Sequence, residues 1–243
     1  MSDTLNRRDF IAAGTLAGAG LAFPQNLLGQ APAVIRSTAA KPVVIASANG
    51  NRSKNANGKV CVQLAYEMMM GGADVLDSVV AGVNIVELDP TDNSVGYGGL
   101  PNAEGVVQLD SSVMHGPKKQ AGAVACIEGV RTPSKVALLV SQVTDHHLLV
   151  GQGAQEFARQ MGFEIEEDLN TEESRRLWLD WKRRVDPEHW LDPKKRSEES
   201  LRVGLEMVRE GLIDPEHFYG TINCDGVNAK GEICGVTTTS GLS

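Results

Sequence analysis

Apolar positions recur along the chain with two different periods, and these periods predict where strands and helices lie. Short β-branched runs predict strands at 42–50, 105–116 and 121–129. Spacings of three and four residues predict helices at 58–72, 73–90 and 132–144, and 147–162 predicts a short strand followed by a helix. The last stretch, 221–241, predicts two strands joined by a turn centred on 228–231. Helices grouped between groups of strands favour a layered α+β fold.

Residues 164–216 depart from this pattern. They mix acidic and basic side chains densely, contain all three tryptophans and have no β-branched run. We predict a charged helical linker whose side chains face solvent. The mixture of both signs argues against a nucleic-acid-binding arm, which needs an excess of basic residues.

Composition is that of an ordinary globular protein. The chain has 243 residues, of which 42% are hydrophobic and 22% charged, enough for one sizeable domain. The formal net charge of -8 predicts that nucleic acid is not a partner. Cys61, Cys126, Cys224 and Cys234 form no CxxC pair, so we expect no metal site and no cofactor. Cys224 and Cys234 could meet across the last hairpin, so a disulfide bond between them stays an open alternative.

The N-terminal segment, residues 1–33, has the pattern of a twin-arginine export peptide. Arg7 and Arg8 are followed by Phe10 and by an apolar run of Ala, Gly and Leu that ends in small residues. The run is too short for a stable membrane span, so we expect no membrane anchor. The mature protein is expected to begin near Val34 and to be periplasmic or secreted.

The junction Gly220–Thr221, between the linker and the last hairpin, has two interpretations. Thr221 could simply open a strand, because β-branched residues favour strands. Alternatively, a cut before Thr221 would free an α-amine with a pKa of about 7.7–8.0, which could act as base for the hydroxyl of the same residue. Gly220 removes steric bulk beside that bond. A second hydroxyl would have to hold the amine and the hydroxyl of Thr221 in position. Strand alternation puts Thr237 and Thr239 on one face of the strand and Thr238 on the other.

Four stretches, in chain order, resemble one known family: "GYGGLPNAEGVVQLDSSVMHG" (96–116), "GAVACIEGVRTPSKVA" (122–137), "HLLVGQGAQEFARQMGF" (147–163) and "YGTINCDGVNAKGEICGVTTTSG" (219–241). Together they resemble the N-terminal-threonine (Ntn) asparaginases and, within them, the glycosylasparaginases, or N4-(β-N-acetylglucosaminyl)-L-asparaginases. The similarity runs from about residue 42 to the end of the chain, apart from the charged linker.

The resemblance implies a four-layer αββα sandwich of the Ntn-hydrolase type, self-cleavage before a threonine nucleophile, and hydrolysis of a side-chain amide through an acyl-enzyme. Carried over to this sequence, Gly220–Thr221 is the cleavage site, Thr221 the catalytic nucleophile and Thr239 the second catalytic threonine. Residues 34–220 then form the α-subunit, including the linker, and 221–243 the start of the β-subunit of an α/β heterodimer. The implied substrate is a small amide, either an asparagine derivative or a glycosylated asparagine.

The sequence also departs from the family pattern. The family's substrate-binding arginine and aspartate and its oxyanion-hole residues follow "TTTSG", so we expect them beyond Ser243 and expect the fold to be incomplete at this end. Glycosylasparaginases carry Asp before the nucleophile, whereas Gly220 matches the L-asparaginase and isoaspartyl-peptidase relatives. The tryptophan that glycosylasparaginases keep after the first strand is absent from "ASANG" (46–50). Two alternatives therefore stay open: an L-asparaginase or isoaspartyl peptidase, and a catalytically inactive binding protein or fragment of the same architecture.

Overall fold

The computed structural model describes residues 40–185, 193–218 and 220–240. The predicted export segment, residues 1–33, lies outside the described residues, as do Tyr219 and 241–243. None of the helices in the described ranges has the length and apolar character that a membrane span requires.

The predicted elements of 42–162 and 221–241 are all present. The strands are β1 (Val43–Ala46), β2 (Leu109–His115), β3 (Gln120–Ile127), β4 (Leu149–Val150), β5 (Thr221–Val227) and β6 (Ile233–Ser240). The helices are α1 (Cys61–Met70), α2 (Val75–Glu87), α3 (Pro133–Val143), α4 (Gly151–Gln160), α5 (Glu172–Arg184), α6 (Pro193–Arg209) and the single turn α7 (Pro215–Phe218).

The strands form one six-stranded sheet in the order β1-β5-β6-β2-β3-β4. All neighbouring strands are antiparallel except β3 and β4. The last hairpin therefore lies in the middle of the sheet, with β5 beside the N-terminal strand β1 and β6 beside β2. This position puts both candidate threonines on central strands.

Helices α1–α4 cover one face of the sheet and build the main hydrophobic core with it; we call this assembly the body. Alternate strand residues such as Leu109, Ile222 and Val236 are buried on that face. On the opposite face Ile45, Met114 and Ile233 are 60%, 63% and 57% exposed. The described residues thus confirm an α+β fold with a helical layer and one sheet, while the four-layer sandwich stays a prediction.

Helices α5, α6 and α7 correspond to the predicted linker; we call them the helical region. Their helical character agrees with the prediction, but their side chains are not all solvated. One face of each long helix contributes to a second hydrophobic cluster, made of Leu100, Leu177, Val185, Val203, Met207, Ile213 and Phe218. Leu177 and Val203 are 1% and 0% exposed. Apolar residues of the charged stretch therefore form a small hydrophobic core, together with Leu100.

The hairpin register decides the open question about Cys224 and Cys234. Cys224 lies opposite Val236, and Cys234 lies opposite Gly226, so the two sulfurs are two positions out of register. All four cysteines are free thiols in the part of the chain that the structure describes. Cys224 instead contacts Cys61 of α1; this contact, with burial, raises the pKa of the Cys224 thiol.

Candidate active site

Thr221 and Thr239 lie directly opposite each other on β5 and β6, at the end of the hairpin far from its turn. The Thr221 hydroxyl donates a hydrogen bond to Thr239 Oγ1 at 3.0 Å. Thr239 in turn donates to the carbonyl oxygen of Gly220 at 3.1 Å. The structure therefore brings together all three residues that the sequence analysis singled out. Two hydroxyls and the carbonyl before Thr221 form one continuous chain of hydrogen bonds.

The neighbours of Thr239 are fixed on both sides of the strand, which fixes the threonine itself. Thr238 points to the helical layer, where it is 1% exposed and donates to the carbonyl of Asp110 at 3.0 Å. Thr237 points the opposite way and donates to Asn223 Oδ1 at 2.7 Å. The alternation predicted for the three threonines is thus confirmed. A strand anchored on both faces presents the Thr239 hydroxyl in one direction.

The end of β6 is held by the loop that carries the Gly-Tyr-Gly-Gly stretch. The backbone N–H and the hydroxyl of Ser240 both donate to the carbonyl of Ser94, at 3.2 and 3.0 Å. Gly99 approaches so closely that an added Cβ would lie 2.7 Å from the Ser240 Cβ. A glycine at this position is therefore required for the loop to reach the end of the strand.

A cleft of about 890 Å³ opens beside the threonine pair. Its lining includes the loop from Asn93 to Glu104 and the helical region, which contributes Trp178 and Trp181. The Trp178 indole N–H donates to the carbonyl of Ala103 at 3.4 Å, which links the loop to the helical region. Residues of the charged stretch 164–216 therefore line the candidate site, and the stretch also connects α4 to the hairpin that carries the threonines.

Several of these lining residues were not identified from the sequence. Asn93 lines the same cleft as Thr221, and its buried side-chain oxygen has no hydrogen-bond partner among the described residues. Ser94 and Asp110 hold β6 through backbone carbonyls, which no side-chain motif reveals. Of these lining residues, Trp178 and Trp181 could have been identified from the sequence, because they lie three residues apart and so share one helix face. The substrate-binding residues that the resemblance implies were expected beyond Ser243, and the described residues do not test that prediction.

One group of side chains in the described residues has metal-ligand chemistry: atoms of Asp74, His115 and Cys234 lie within 4.8 Å of one another. Their hydrogen bonds indicate a helix cap instead. Asp74 accepts from the backbone N–H of Leu76 at 2.8 Å and lies 3.0 Å from His115 Nε2. Because His115 Nδ1 accepts from the backbone of Lys118, the proton of a neutral ring is on Nε2, where a metal would bind. Burial alone would raise the pKa of Asp74, but its hydrogen bonds with His115 and Leu76 lower it.

Comparison with known proteins extends the resemblance. A family model described as Asparaginase matches residues 30–243. The chain is 34% identical over 242 residues to an N(4)-(Beta-N-acetylglucosaminyl)-L-asparaginase of Elizabethkingia miricola, covering 98% of this chain and 61% of the relative. It is 31% identical to the mouse protein of the same name, covering 76% and 55%, and 36% identical to a plant-type L-asparaginase of Pyrococcus abyssi, covering 68% and 53%.

The chain spans between 53% and 61% of the length of these relatives. The family match nevertheless extends over almost the whole chain and includes the threonine pair and the glycine loop. The resemblance that the motifs indicated is therefore confirmed. This chain belongs to the asparaginase family.

Proposed function

We propose that this protein is an amidohydrolase that first cuts its own chain between Gly220 and Thr221. The observation that carries the proposal is the chain of hydrogen bonds from Thr221 through Thr239 to the carbonyl of Gly220. A donor on that carbonyl oxygen stabilises the negative charge that develops when the carbon is attacked. A threonine that merely opened a strand would need no such arrangement.

Self-cleavage proceeds in two steps. Thr221 Oγ1 attacks the carbonyl carbon of Gly220, the bond to the Thr221 nitrogen breaks, and the hydroxyl proton passes to that nitrogen. The product is an ester with a free α-amine. Water then hydrolyses the ester, which restores the threonine hydroxyl and leaves a carboxylate on Gly220.

Substrate hydrolysis reuses the same hydroxyl. The freed α-amine takes the proton from Thr221 Oγ1 while the oxygen attacks the carbon of a side-chain amide, and the proton then passes to the leaving amine. Water hydrolyses the resulting ester and releases aspartate. Thr239, which donates to the Gly220 carbonyl before the cut, then orients the Thr221 hydroxyl.

The cleft favours an asparagine that carries a sugar as substrate. Its volume of about 890 Å³ exceeds what a free amino acid fills, and Trp178 and Trp181 offer apolar faces on which a sugar ring could pack. Gly220 supports the alternative, an L-asparaginase or isoaspartyl peptidase. Hydrolysis rates on glycosylated and on free asparagine distinguish the two, and Trp178→Ala should lower only the first.

The open face of the sheet supports the finer prediction about architecture. Exposed Ile45, Met114 and Ile233 are the side chains that a second sheet would cover in a four-layer sandwich. The two cleavage products would then remain together as an α/β heterodimer. Protection of these side chains from solvent in the protein expressed from its full reading frame would test this arrangement.

We also propose export by the twin-arginine route, on the strength of Arg7, Arg8 and the apolar run that follows them. Replacing both arginines by lysine should keep the protein in the cytoplasm. Unchanged periplasmic yield of that double variant would contradict the route.

Mass spectrometry of the protein expressed from its full reading frame tests the proposed self-cleavage. The wild type should give two chains that meet between 220 and 221. Thr221→Ala should stay uncut and inactive, Thr221→Ser should be cut more slowly, and Thr91→Ala, on an exposed turn, should behave like the wild type. Efficient cleavage of Thr221→Ala would refute the mechanism, and an uncut, inactive wild type would favour the inactive alternative.

A further inference from the structure

Ser94, whose carbonyl holds the end of β6, is itself held by a buried aspartate. Asp92 Oδ1 accepts the backbone N–H of Ser94 at 3.0 Å and also accepts the Ser94 hydroxyl. Asn49 Nδ2 donates to the Ser94 hydroxyl oxygen at 3.4 Å, and all three residues are buried. The place of the Ser94 carbonyl is therefore fixed by hydrogen bonds inside the fold.

Ser240 transmits this position to Thr239. It makes two hydrogen bonds to the Ser94 carbonyl, from its backbone N–H at 3.2 Å and from its hydroxyl at 3.0 Å. The N–H of Ser240 belongs to the planar peptide group that joins it to Thr239. A bond to this N–H therefore fixes the orientation of the main chain that carries the Thr239 side chain.

The Thr239 hydroxyl has one proton and two carbonyl oxygens within reach. The carbonyl of Gly220 lies 3.1 Å from Thr239 Oγ1, and the carbonyl of Ser240 lies 3.3 Å from it. Before the cut, only a proton directed at Gly220 stabilises the charge on the attacked carbonyl. After the cut, Thr239 still accepts from Thr221, so its own proton needs another acceptor, and the Ser240 carbonyl offers one. A small movement of Ser240 would change which oxygen receives the proton.

We infer that Asp92 is a positioning residue for the Thr221–Thr239 pair and acts through Ser94 and Ser240. The inference rests on the proposed self-cleavage, to which it adds a buried residue that is linked to the pair by hydrogen bonds. Without the acceptor of Asp92, the buried N–H and hydroxyl of Ser94 lose a partner, so the loop has to move to find another. That movement shifts Ser240 and misdirects the Thr239 hydroxyl.

The same loop contains a second turn of the same kind, which supplies a control. Asp89 accepts the backbone N–H of Thr91 at 2.9 Å and the Thr91 hydroxyl at 2.7 Å. Thr91 is exposed, whereas Ser94 is buried and bonded to the end of β6. The two turns therefore make the same local bonds and differ in what the second residue holds.

The test measures the rate of self-cleavage and the thermal stability of variants of the protein expressed from its full reading frame. Asp92→Leu removes the acceptor at similar shape and should slow cleavage about tenfold or more, since small misplacements are costly at a reacting centre. Asp92→Asn keeps an oxygen that can accept both bonds and should be cut within about threefold of the wild type. Asp89→Leu, the matched control, should be cut like the wild type.

A double-mutant cycle tests whether Asp92 acts through Ser240. Ser240→Ala removes one of the two bonds to the Ser94 carbonyl and should slow cleavage by itself. Combined with Asp92→Leu, it should slow cleavage by less than the product of the two single effects, because the link is already broken. In chains that have been cut, Asp92→Leu should lower kcat on free or glycosylated asparagine, whichever the wild type hydrolyses, and leave KM within about twofold.

The outcomes separate this inference from the proposed function. A wild-type chain that is never cut would overturn both. If the wild type is cut and Asp92→Leu is cut equally fast, the inference alone fails. It also fails if Asp89→Leu slows cleavage as much as Asp92→Leu, if Asp92→Asn is no faster than Asp92→Leu, if the two effects in the cycle simply multiply, or if KM rises while kcat is unchanged. Should Asp92→Leu not fold, Ser94→Ala, which removes the hydroxyl that donates to Asp92, takes its place in every comparison.

Discussion

The body and the helical region are stabilised by different kinds of packing. The body buries mostly small side chains, such as Val79, Val83 and Ala65, against one face of a central sheet. The helical region buries fewer and larger ones, such as Leu177, Met207 and Phe218, beneath a surface of arginine–carboxylate pairs. Closely packed small residues leave little space for adjustment, so the body should be more sensitive to substitution. Matched substitutions in the two regions test this contrast.

The largest effects are expected from two leucines, one in each core. Leu109 of β2 and Leu177 of α5 are 0% and 1% exposed. Leu109→Ala should cost about 4 kcal/mol of unfolding free energy, because its cavity lies in the rigid sheet, and Leu177→Ala about 2–3 kcal/mol, because two helices can close over the gap. Urea unfolding measures both. Equal losses would show that the helical region is packed as rigidly as the body.

A pair of glycines tests close packing against backbone preference. Gly96 has φ of 59°, and an added Cβ would lie 2.2 Å from the carbonyl oxygen of Glu87. Gly58 has φ of 74° with open space around it. Gly96→Ala should therefore cost about 3 kcal/mol and Gly58→Ala only about 1 kcal/mol in unfolding experiments. A small effect at Gly96 would mean that the loop moves away from Glu87 easily.

The helix caps allow a direct comparison of the two regions. Asp74 caps α2 and Thr171 caps α5, and each accepts a hydrogen bond from a backbone N–H in the first turn of its helix. Thr171→Ala should cost about 1 kcal/mol of unfolding free energy. Asp74→Ala should cost more at neutral pH, because it also removes the hydrogen bond with the buried His115. Equal losses in urea unfolding would mean that this tertiary contact adds nothing to the cap.

The stability that each cap contributes should depend differently on pH. The hydrogen bonds to Asp74 lower its pKa in the folded protein, so its extra stability is present above its unfolded pKa and is lost as the pH falls through the folded value. The difference between wild type and Asp74→Ala should therefore shrink in acid, while the Thr171→Ala difference stays constant. Melting temperatures measured from neutral to acidic pH provide the comparison.

The smallest effect is expected on the charged surface of the helical region. Arg176 forms a two-pronged pair with Glu173 one turn earlier on α5, and both side chains are 56% exposed. Exposed pairs of this kind contribute little and are screened by salt. Arg176→Ala should leave the midpoint of urea unfolding unchanged within error. A clear loss at low salt would show that the charged surface stabilises this region.

The sequence predicted the body well because each of its elements buries one face. A regular spacing of buried positions is then visible within a single strand or helix. The alternating faces of Thr237, Thr238 and Thr239 on β6 are predicted from the same regularity. The helical region was predicted less well. Val203 and Met207 lie four residues apart and share a helix face, but the charged residues between them dominate the average character of the stretch. Its helices could be predicted, whereas its core and its place in the cleft could not.

The candidate site shows the same division. The resemblance supplied Thr221 and Thr239, and a hairpin turn accounts for how residues eighteen positions apart come to face each other. The buried pairing of Glu87 with Ser134 behind the sheet could not be predicted either, because the two residues lie forty-seven positions apart on different helices. The support that Ser94 gives to Ser240 spans 146 positions. Contacts of this range arise from packing in three dimensions and leave no local pattern in the sequence.

The order of the strands has a consequence for how the protein can be assembled. A cut before Thr221 would put β5 and β6 in one product and their outer neighbours, β1 and β2, in the other. In the intact chain these pairings form by loop closure within one molecule, whose entropic cost rises slowly with loop length. In the cut protein they would join two molecules, so refolding would be second order and would fail at high dilution. The intact chain would thus fold at a rate that does not depend on protein concentration. The cut protein would have its native structure because the chain folded before it was cut.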